Sequence, residues 1–520
     1  MLDRVLGFRG RPGYARVDVS PLDPTRQHEV RLDRDGFRGR PLPAVGKSAE
    51  TTRVAVFGDS FVVGEGVAAS DLMTARLERA LEVSGRKAEV YALGAIDYGT
   101  GQELLLLDRL GPRLRPDQIV LVLYPSNDVV NNAWGLAGAT TVSPGDAIRP
   151  YLAVDAAGRL STRWIGPVRS WLRRHLTSFG HAELLLAPPD LGRLDPRSVE
   201  ARIEAGLPPR EYLEVFRTHD EHDRWEVAWR ETEVLIRAFR DRCEALGARL
   251  VVLVVPSIDQ VVMTPQRIGF EIEARAHGRR LEDWVDWSLP ERRLAAFFAA
   301  EGIEAQALLA PLRAAVREGN PVYARDLHLN EAGHAIAARV LSQALSLPAS
   351  APPPGIDVAA IQSGTAVVLD PASDPSFLDL RVAPYAAAFS DGWVDWRPAG
   401  AVAGHPGGWR LGLRGLVAVR AADGPLALRI HALRPGRVGV SVLGGGPQRQ
   451  VEIPRAGPFA LRIPMDPPPV LSEDGHLALI LSGGPDPGSL ILQAIGFEEA
   501  AAAGPPAPGE MSVTFSAGPR

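Results

Sequence analysis

The sequence predicts an α/β domain built on a parallel sheet, followed by a smaller β-sandwich domain. Three observations lead there. From residue 53 onward, short Val- and Leu-rich runs alternate with amphipathic stretches. A proline-rich segment interrupts the chain near residue 350. Beyond it apolar and polar residues alternate one for one, the period of a strand with one buried face. At 520 residues the chain is also longer than one hydrophobic core usually serves.

Taken in order, 1–50 is a lead-in segment in which GFRGRP occurs twice, at 7–12 and 36–41. The apolar run 53–57, closed by Gly58, reads as a strand buried on both faces. Ser70 is placed to cap an amphipathic helix over 71–81, with Leu72, Ala75, Leu77 and Ala80 at helical spacing. A strand over 89–93, a helix over 102–110 and a buried strand over 118–124 follow. Residues 129–223 break the alternation with a Trp- and Arg-rich helical piece over 164–186 and a polar, proline-spotted stretch. That insertion is either a lid over the carboxyl ends of the strands or an excursion without a role. A long helix over 225–246, a strand over 249–255, a helix over 292–300, a strand over 304–308 and a closing helix from Glu331 complete a domain spanning 51–347. Strands alternating with helices require a parallel sheet covered on both faces.

Residues 348–356 (PASAPPPGI) form a stiff linker by composition. In 357–499, alternating runs at 426–432, 438–443, 451–453, 459–463, 476–481 and 490–497 are separated by Gly and Pro clusters, the pattern of a β-sandwich. The Ala-, Pro- and Gly-rich tail 500–520 is expected to be disordered.

Charge and composition remove several function classes. With 57 basic and 62 acidic residues the net charge is −5, which gives no electrostatic reason for a nucleic-acid partner. The single cysteine, Cys243, excludes an internal disulfide and falls in the helix over 225–246, where it reads as a packed residue. The first residues lack the apolar core of a secretory signal, and the longest apolar runs, 119–123 and 250–255, are too short to span a bilayer. A cytoplasmic protein without direct membrane insertion is expected, or an envelope-associated one if the start of the sequence is mis-set. His219 and His222 lie three apart in a charged turn, a spacing that does not by itself make a zinc site. No metal and no cofactor are expected.

Three segments at strand ends carry chemistry. Gly58-Asp59-Ser60-Phe61 follows the first strand and puts a serine at the carboxyl edge of the sheet, where the amides of the next helix can face a developing anion. Glycine at 58 lets the chain turn tightly. Ser126-Asn127-Asp128 follows the third strand; its side-chain amide can donate to an oxyanion, or the Asn-Asp pair can simply form a turn. Asp326-Leu327-His328-Leu329-Asn330 precedes the closing helix. There a histidine can take the serine proton while Asp326 holds the other ring nitrogen; alternatively Asp326 or Asn330 caps the helix.

In this order the segments resemble the SGNH (GDSL-like) hydrolase family over roughly residues 36–346. Gly58–Phe61 resembles its first block, 92–100 (ALGAIDYGT) its second, Ser126-Asn127-Asp128 its third and 326–334 its last. Gly36-Phe37-Arg38-Gly39 is similar to the lead-in of many bacterial members. The resemblance implies a flavodoxin-like three-layer domain. It further implies Ser60 as nucleophile, His328 as base and Asp326 as its orienting acid. The oxyanion hole would be formed by the Ser60 and Asp97 amides and the Asn127 side chain. Asp97 stands where the family usually has glycine, with Gly99 as the alternative donor; Ser126 also replaces a glycine. One residue, rather than two, separates Asp326 from His328, a spacing shared with relatives that acetylate bacterial polysaccharides. Three functions follow: a serine esterase removing an O-acyl group, chiefly acetyl, from a small-molecule or polysaccharide ester; an O-acetyltransferase acting on a polysaccharide; or a glycan-binding protein on a degenerate scaffold. Trp393, Trp396 and Trp409 in the second domain form either a sugar platform or part of the core.

Overall fold

The computed structural model describes residues 1–19, 27–43, 46–136, 149–154, 160–164, 210–324, 327–346, 355–362 and 366, together with 377–379, 393–397, 408–411, 414–422, 425–445, 448–466, 468–483, 490–497 and 511–514. Five strands form the central sheet: β1 (Thr52–Gly58), β2 (Ala88–Gly94), β3 (Gln118–Leu123), β4 (Arg249–Val254) and β5 (Glu304–Ala307). All neighbours are parallel, in the order β2-β1-β3-β4-β5. This is the flavodoxin-like order, whose topological switch point lies between β1 and β3. Ligand sites in such sheets open at the carboxyl ends on either side of that point, where Ser60 and Asn127 lie.

In chain order the helices that matter here are α1 (Ser60–Val63), α2 (Met73–Val83), α3 (Thr100–Leu114), α4 (Pro125–Asn132) and α5 (Arg224–Ala245), then α6 (Pro265–Ala276), α7 (Leu289–Glu301), α8 (Leu309–Arg317) and α9 (Glu331–Ser346). The period-two side chains of the strands divide between two cores. Ala55, Phe57 and Leu121 pack with Leu107 of α3 and with Leu235, Phe239 and Cys243 of α5. Val54, Val56 and Val122 pack on the other side with Leu77 of α2, Leu312 of α8 and Leu341 of α9. Continuous apolar strands are what a sheet covered on both faces requires, and three layers result. Cys243 is fully buried, as the helical periodicity predicts.

One expected cap is replaced by another. Ser70 does not cap α2; it lies in a 3-10 turn, Ala69–Asp71, and its hydroxyl contacts Asp71 Oδ2 at 3.4 Å. The helix starts at Met73, whose N–H donates to Nδ1 of His334 in α9 at 3.2 Å. A distant side chain thus satisfies the orphan amide that a local serine would otherwise have taken.

Within the expected insertion, the described parts are the end of α4, a 3-10 turn at Trp134–Leu136, a hairpin of Pro150–Val154 with Leu160–Trp164, and a turn at Arg210–Phe216. The buried Tyr151 and Leu152 set the hairpin into the core beside α3 and α5. The helical piece expected over 164–186 lies, beyond Trp164, outside the described residues, as does most of the linker 348–356. The lead-in packs on the sheet's first half: Gln102 Nε2 donates to the Leu6 carbonyl at 2.8 Å and the Tyr98 hydroxyl to that of Phe8 at 2.6 Å.

The C-terminal region is built of two mainly antiparallel sheets. One runs Trp393–Arg397, Gly408–Leu411, Leu490–Phe497, Leu426–Ala432, Gly457–Ile463 and Met511–Thr514, with Phe377–Asp379 also paired to Leu490–Phe497. The other runs Arg414–Arg420, His476–Gly483, Gly436–Val442 and Gln448–Ile453. Leu428, Ile430, Val440, Leu461 and Leu479 fill the space between them. The expectation of a wholly disordered tail is corrected at Met511–Thr514, which adds a parallel edge strand to Gly457–Ile463. Its Met-Ser-Val-Thr alternation suits an edge, but the pairing is non-local and the flanking composition conceals it. Trp396 and Trp409 face each other in register on paired strands; the side chains of Trp393, Trp396 and Trp409, and with them the choice between platform and core, lie outside the described residues. Ile268 and Ile272 of α6 pack against Leu416, Ala418, Ala478 and Ile480, joining the sandwich to the α/β domain. Among the described residues no helix is long and apolar enough to cross a membrane.

Candidate active site

Ser60 opens α1 directly after β1. Asp59 caps that helix, its Oδ1 accepting the Phe61 N–H at 2.9 Å. Gly58 is required for space rather than for a turn. A Cβ there would lie 2.5 Å from Val62 Cγ2 and 3.0 Å from Val122 Cβ, so a side chain would wedge β1 away from α1 and β3. The loop beyond α1 is held from the lead-in. The buried Arg38 guanidinium donates to the carbonyls of Val63 (3.0 Å), Gly64 and Val67.

The structure brings His328 to Ser60 across 268 residues of chain, with His328 Nε2 2.8 Å from Ser60 Oγ. The loop that delivers it is tight. Leu327 adopts φ +71°, Ala324 N–H donates to the His328 carbonyl at 2.7 Å, and Tyr323 bridges Leu329. The Phe61 ring lies 5.3 Å from the imidazole and 4.8 Å from Tyr124. Both readings of Asp326–Asn330 bear on this loop. Asn330 does cap α9, its Oδ1 accepting the Ala332 and Gly333 N–H groups at 2.9 and 3.0 Å, while His328 reaches the serine. Asp326 lies outside the described residues.

Asn127 Nδ2 donates to Asp59 Oδ2, beside the serine, at 3.1 Å, and the nitrogen carries a second N–H. Asp97 adopts φ +70°, the left-handed conformation in which the family's usual glycine is at home and which Asp tolerates better than most residues. Its carboxylate lies 3.8 Å from the buried Arg149 guanidinium. Gly99 is extended, at φ −116°, and abuts α4 so closely that a Cβ would sit 2.8 Å from Asn131 Cβ. Close packing therefore accounts for this glycine.

Several residues that sequence reasoning did not single out tie these segments together. Asp128 Oδ1 accepts both the N–H and the hydroxyl of Thr100 at 2.9 Å, and its Oδ2 accepts the Tyr124 N–H at 2.8 Å. Asn132 Oδ1 accepts the Gly101 N–H at 3.0 Å. Asn131 Nδ2 donates to Asn127 Oδ1 at 2.6 Å and to the Asp97 carbonyl at 3.2 Å. The available signal was spacing: Asp128 and Asn132, like Asn127 and Asn131, lie four apart on one helix face. Beneath them Glu103 is fully buried, and neither carboxyl oxygen has a hydrogen-bond partner among the described residues. Burial pushes the pKa values of Glu103, Asp128 and Asp59 upward; Asp128 and Asp59 add to the effect on Glu103, Asp59 to that on Asp128 and Asp97 to that on Asp59. With three donors on Asp128 and none on Glu103 among the described residues, Glu103 is the carboxyl least supported as an anion. Burial drives His334 down to about 3, helped by Arg38 and Arg76, so it is a neutral helix cap rather than a second base. Among the described residues no cluster of His, Cys, Asp and Glu could hold a metal. His219 instead contacts the Glu214 carbonyl at 2.7 Å.

A serine–histidine contact at the switch point of a β2-β1-β3-β4-β5 sheet fits one class, the SGNH-type α/β fold. The family comparison agrees: residues 214–366, which include α5, β4, β5 and the His328 loop, match the model of the "SGNH hydrolase-like domain, acetyltransferase AlgX". The α/β domain thus has an SGNH-like fold, with the family match itself covering residues 214–366. Solved structures similar to it include a two-domain esterase active on acetylated mannans (10% identity, covering 86% of this chain and 90% of that one, TM-score 0.28). Others are a catalytic mutant of an acetylxylan esterase from Geobacillus stearothermophilus (11%, 57% and 95%, TM-score 0.29) and a member of the lipolytic G-D-S-L family from Veillonella parvula DSM 2008 (11%, 57% and 100%, TM-score 0.26). No curated protein matches the chain.

Proposed function

We propose that this protein is a serine esterase of the SGNH type that removes an O-acyl group, chiefly acetyl, from a carbohydrate ester. The observation that carries the reading is the 2.8 Å contact between Ser60 Oγ and His328 Nε2. In the proposed reaction Ser60 Oγ attacks the ester carbonyl carbon while His328 Nε2 takes the hydroxyl proton. The carbonyl oxygen becomes an oxyanion held by the Ser60 and Asp97 amides and by Asn127 Nδ2. Collapse expels the alcohol, which receives the proton from His328, and leaves acyl-Ser60. Water activated by the same imidazole then releases the acid. Asp326 would hold the imidazolium through the other ring nitrogen.

A second reading has its own support. The matching family model is described as an acetyltransferase, which favours an acceptor hydroxyl in place of water in the second half-reaction; a polysaccharide hydroxyl is the proposed acceptor.

Hydrolysis of p-nitrophenyl acetate and labelling by a fluorophosphonate test both readings. The wild type is expected to turn over and label. Ser60→Ala should lose labelling and about 10⁴-fold or more in kcat, and His328→Ala should fall by a similar factor. Labelling without turnover, with acetyl moving to an added oligosaccharide, would select the transferase. Neither labelling nor turnover would leave a glycan-binding scaffold.

A further inference from the structure

We propose that Asn131 is the positioning residue of the oxyanion hole, setting the orientation of two of its three donors at once. The inference rests on the acyl-transfer reading above and assigns a residue to that same site.

Asn131 occupies the last turn of α4, four residues after Asn127 on the same helix face, and is 7% exposed. Its amide nitrogen donates to Asn127 Oδ1 at 2.6 Å and to the Asp97 carbonyl at 3.2 Å, with the Tyr98 carbonyl at 3.5 Å. The first bond decides which way the Asn127 amide faces. Asp59 offers an acceptor to Asn127 at 3.1 Å, and Asn131 offers a donor on the opposite side. Only one orientation of the Asn127 amide satisfies both: oxygen toward Asn131, nitrogen toward Asp59 and the space above Ser60. The flipped amide would set oxygen against carboxylate and N–H against N–H, losing both bonds.

The second bond ties down the Asp97–Tyr98 peptide, and with it the residue held at φ +70°. Left-handed backbone in a non-glycine residue is costly and persists only where surrounding contacts fix it. Arg149 meets the Asp97 side chain at 3.8 Å, while Asn131 holds its backbone. Gly99 makes the arrangement possible, since a Cβ there would lie 2.8 Å from Asn131 Cβ and push α4 away from the 95–99 segment. One short side chain therefore joins the second and third motif segments at the atoms that orient their donors.

Removing one oxyanion donor typically costs about 10²–10³-fold in kcat. Loss of the residue that aims such donors is expected to cost about 10- to 100-fold. The test is a mutant cycle on p-nitrophenyl acetate and on the rate of fluorophosphonate labelling of Ser60, using Asn131→Ala, the isosteric Asn131→Asp, Asn127→Ala and the Asn127→Ala/Asn131→Ala double variant, with thermal melting alongside. Both Asn131 variants should lose kcat and labelling rate with KM within about threefold of wild type. The double variant should lose less than the product of the two single losses, because part of the Asn131 effect runs through Asn127 and only the part through Asp97 remains. Wild-type kcat in Asn131→Ala, fully additive losses in the double variant, or failure of both single variants to fold would each overturn the assignment. A wild type that neither turns over nor labels would instead sink the acyl-transfer reading, and the Asn131 role with it. An active wild type with unaffected Asn131 variants sinks only the role.

Discussion

The two segments that carry chemistry to the sheet edge, 124–132 and 323–330, perform matching tasks by different means. In the proposed reaction each contributes one side chain, Asn127 or His328. The first is held by buried side chains: Asp128, Asn131 and Asn132 reach across to Thr100, Asp97 and Gly101, with the buried Glu103 below. The second is held largely by backbone. Ala324 bonds to His328, Tyr323 bridges Leu329, and Asn330 folds back onto Pro321 and the first turn of α9. The difference suits the parts. In the proposed reaction the oxyanion donor is thus fixed by a polar lattice, at the cost of several titratable groups out of water. The proposed base sits instead on the backbone-held loop, with its ring against Phe61.

The backbone-built side should therefore break by sterics, and Gly333→Ala is the largest effect expected. A Cβ at 333 would meet the Val322 carbonyl oxygen at 2.4 Å and Leu329 Cδ2 at 2.8 Å, so α9 and the loop must separate. Alanine favours a helix interior over glycine by about 1 kcal/mol, but here that gain is overridden by displacement of the loop carrying His328. A fall of about 10²-fold in kcat is expected, since a shift near 1 Å is enough for that. Melting should drop by several degrees. Unchanged kcat in a folded Gly333→Ala protein would show that the loop tolerates the shift, and the contrast between the two segments would fail.

How far the sequence discloses this contrast depends on where each residue sits. Ser60, Asn127 and His328 could be picked out as candidates because each lies shortly after a buried apolar strand or before a capped helix, positions where a polar residue needs a reason. The sandwich strands were legible from strict alternation, as in Leu426–Ala432. Asn131, Asn132 and Glu103 were not, because a polar residue on a helix is ordinarily solvated, and only the packing of α4 against the start of α3 buries them. His334 lay within a recognised motif, yet its capping of α2 depends on a contact 261 residues away. The local candidate, Ser70, was credited with that task. The edge strand Met511–Thr514 failed for the same reason, since its partner is distant in sequence.

The polar side should respond to pH, which gives the intermediate effect. Glu103 has a folded-state pKa raised above its unfolded value by burial. A raised acid contributes stability that is present below the unfolded value and lost as pH rises toward the folded one. Above the ordinary glutamate value the wild type should therefore lose stability as pH rises, by up to roughly 1.4 kcal/mol per pH unit from this group. In Glu103→Gln that slope should flatten, whatever constant penalty the new amide introduces. Denaturant melts at pH 5, 7 and 9 read the slope directly. Parallel curves for the two proteins would mean that Glu103 ionises freely and that the buried proton does not exist.

The smallest effect concerns Asp97, where the two modes of support meet: its backbone is held by Asn131 and its side chain by Arg149. If the left-handed backbone is what matters, Asp97→Asn should leave kcat within about threefold, because Asn is the other residue that enters this region readily. Asp97→Val should lose more, since a β-branched side chain at φ +70° is strained by about 1–2 kcal/mol and would rotate the amide away from Ser60. Steady-state hydrolysis by the two variants decides the matter. Equal losses in both would assign the importance of Asp97 to its charge beside Arg149, and the second motif segment would then be held from the hairpin side rather than from α4.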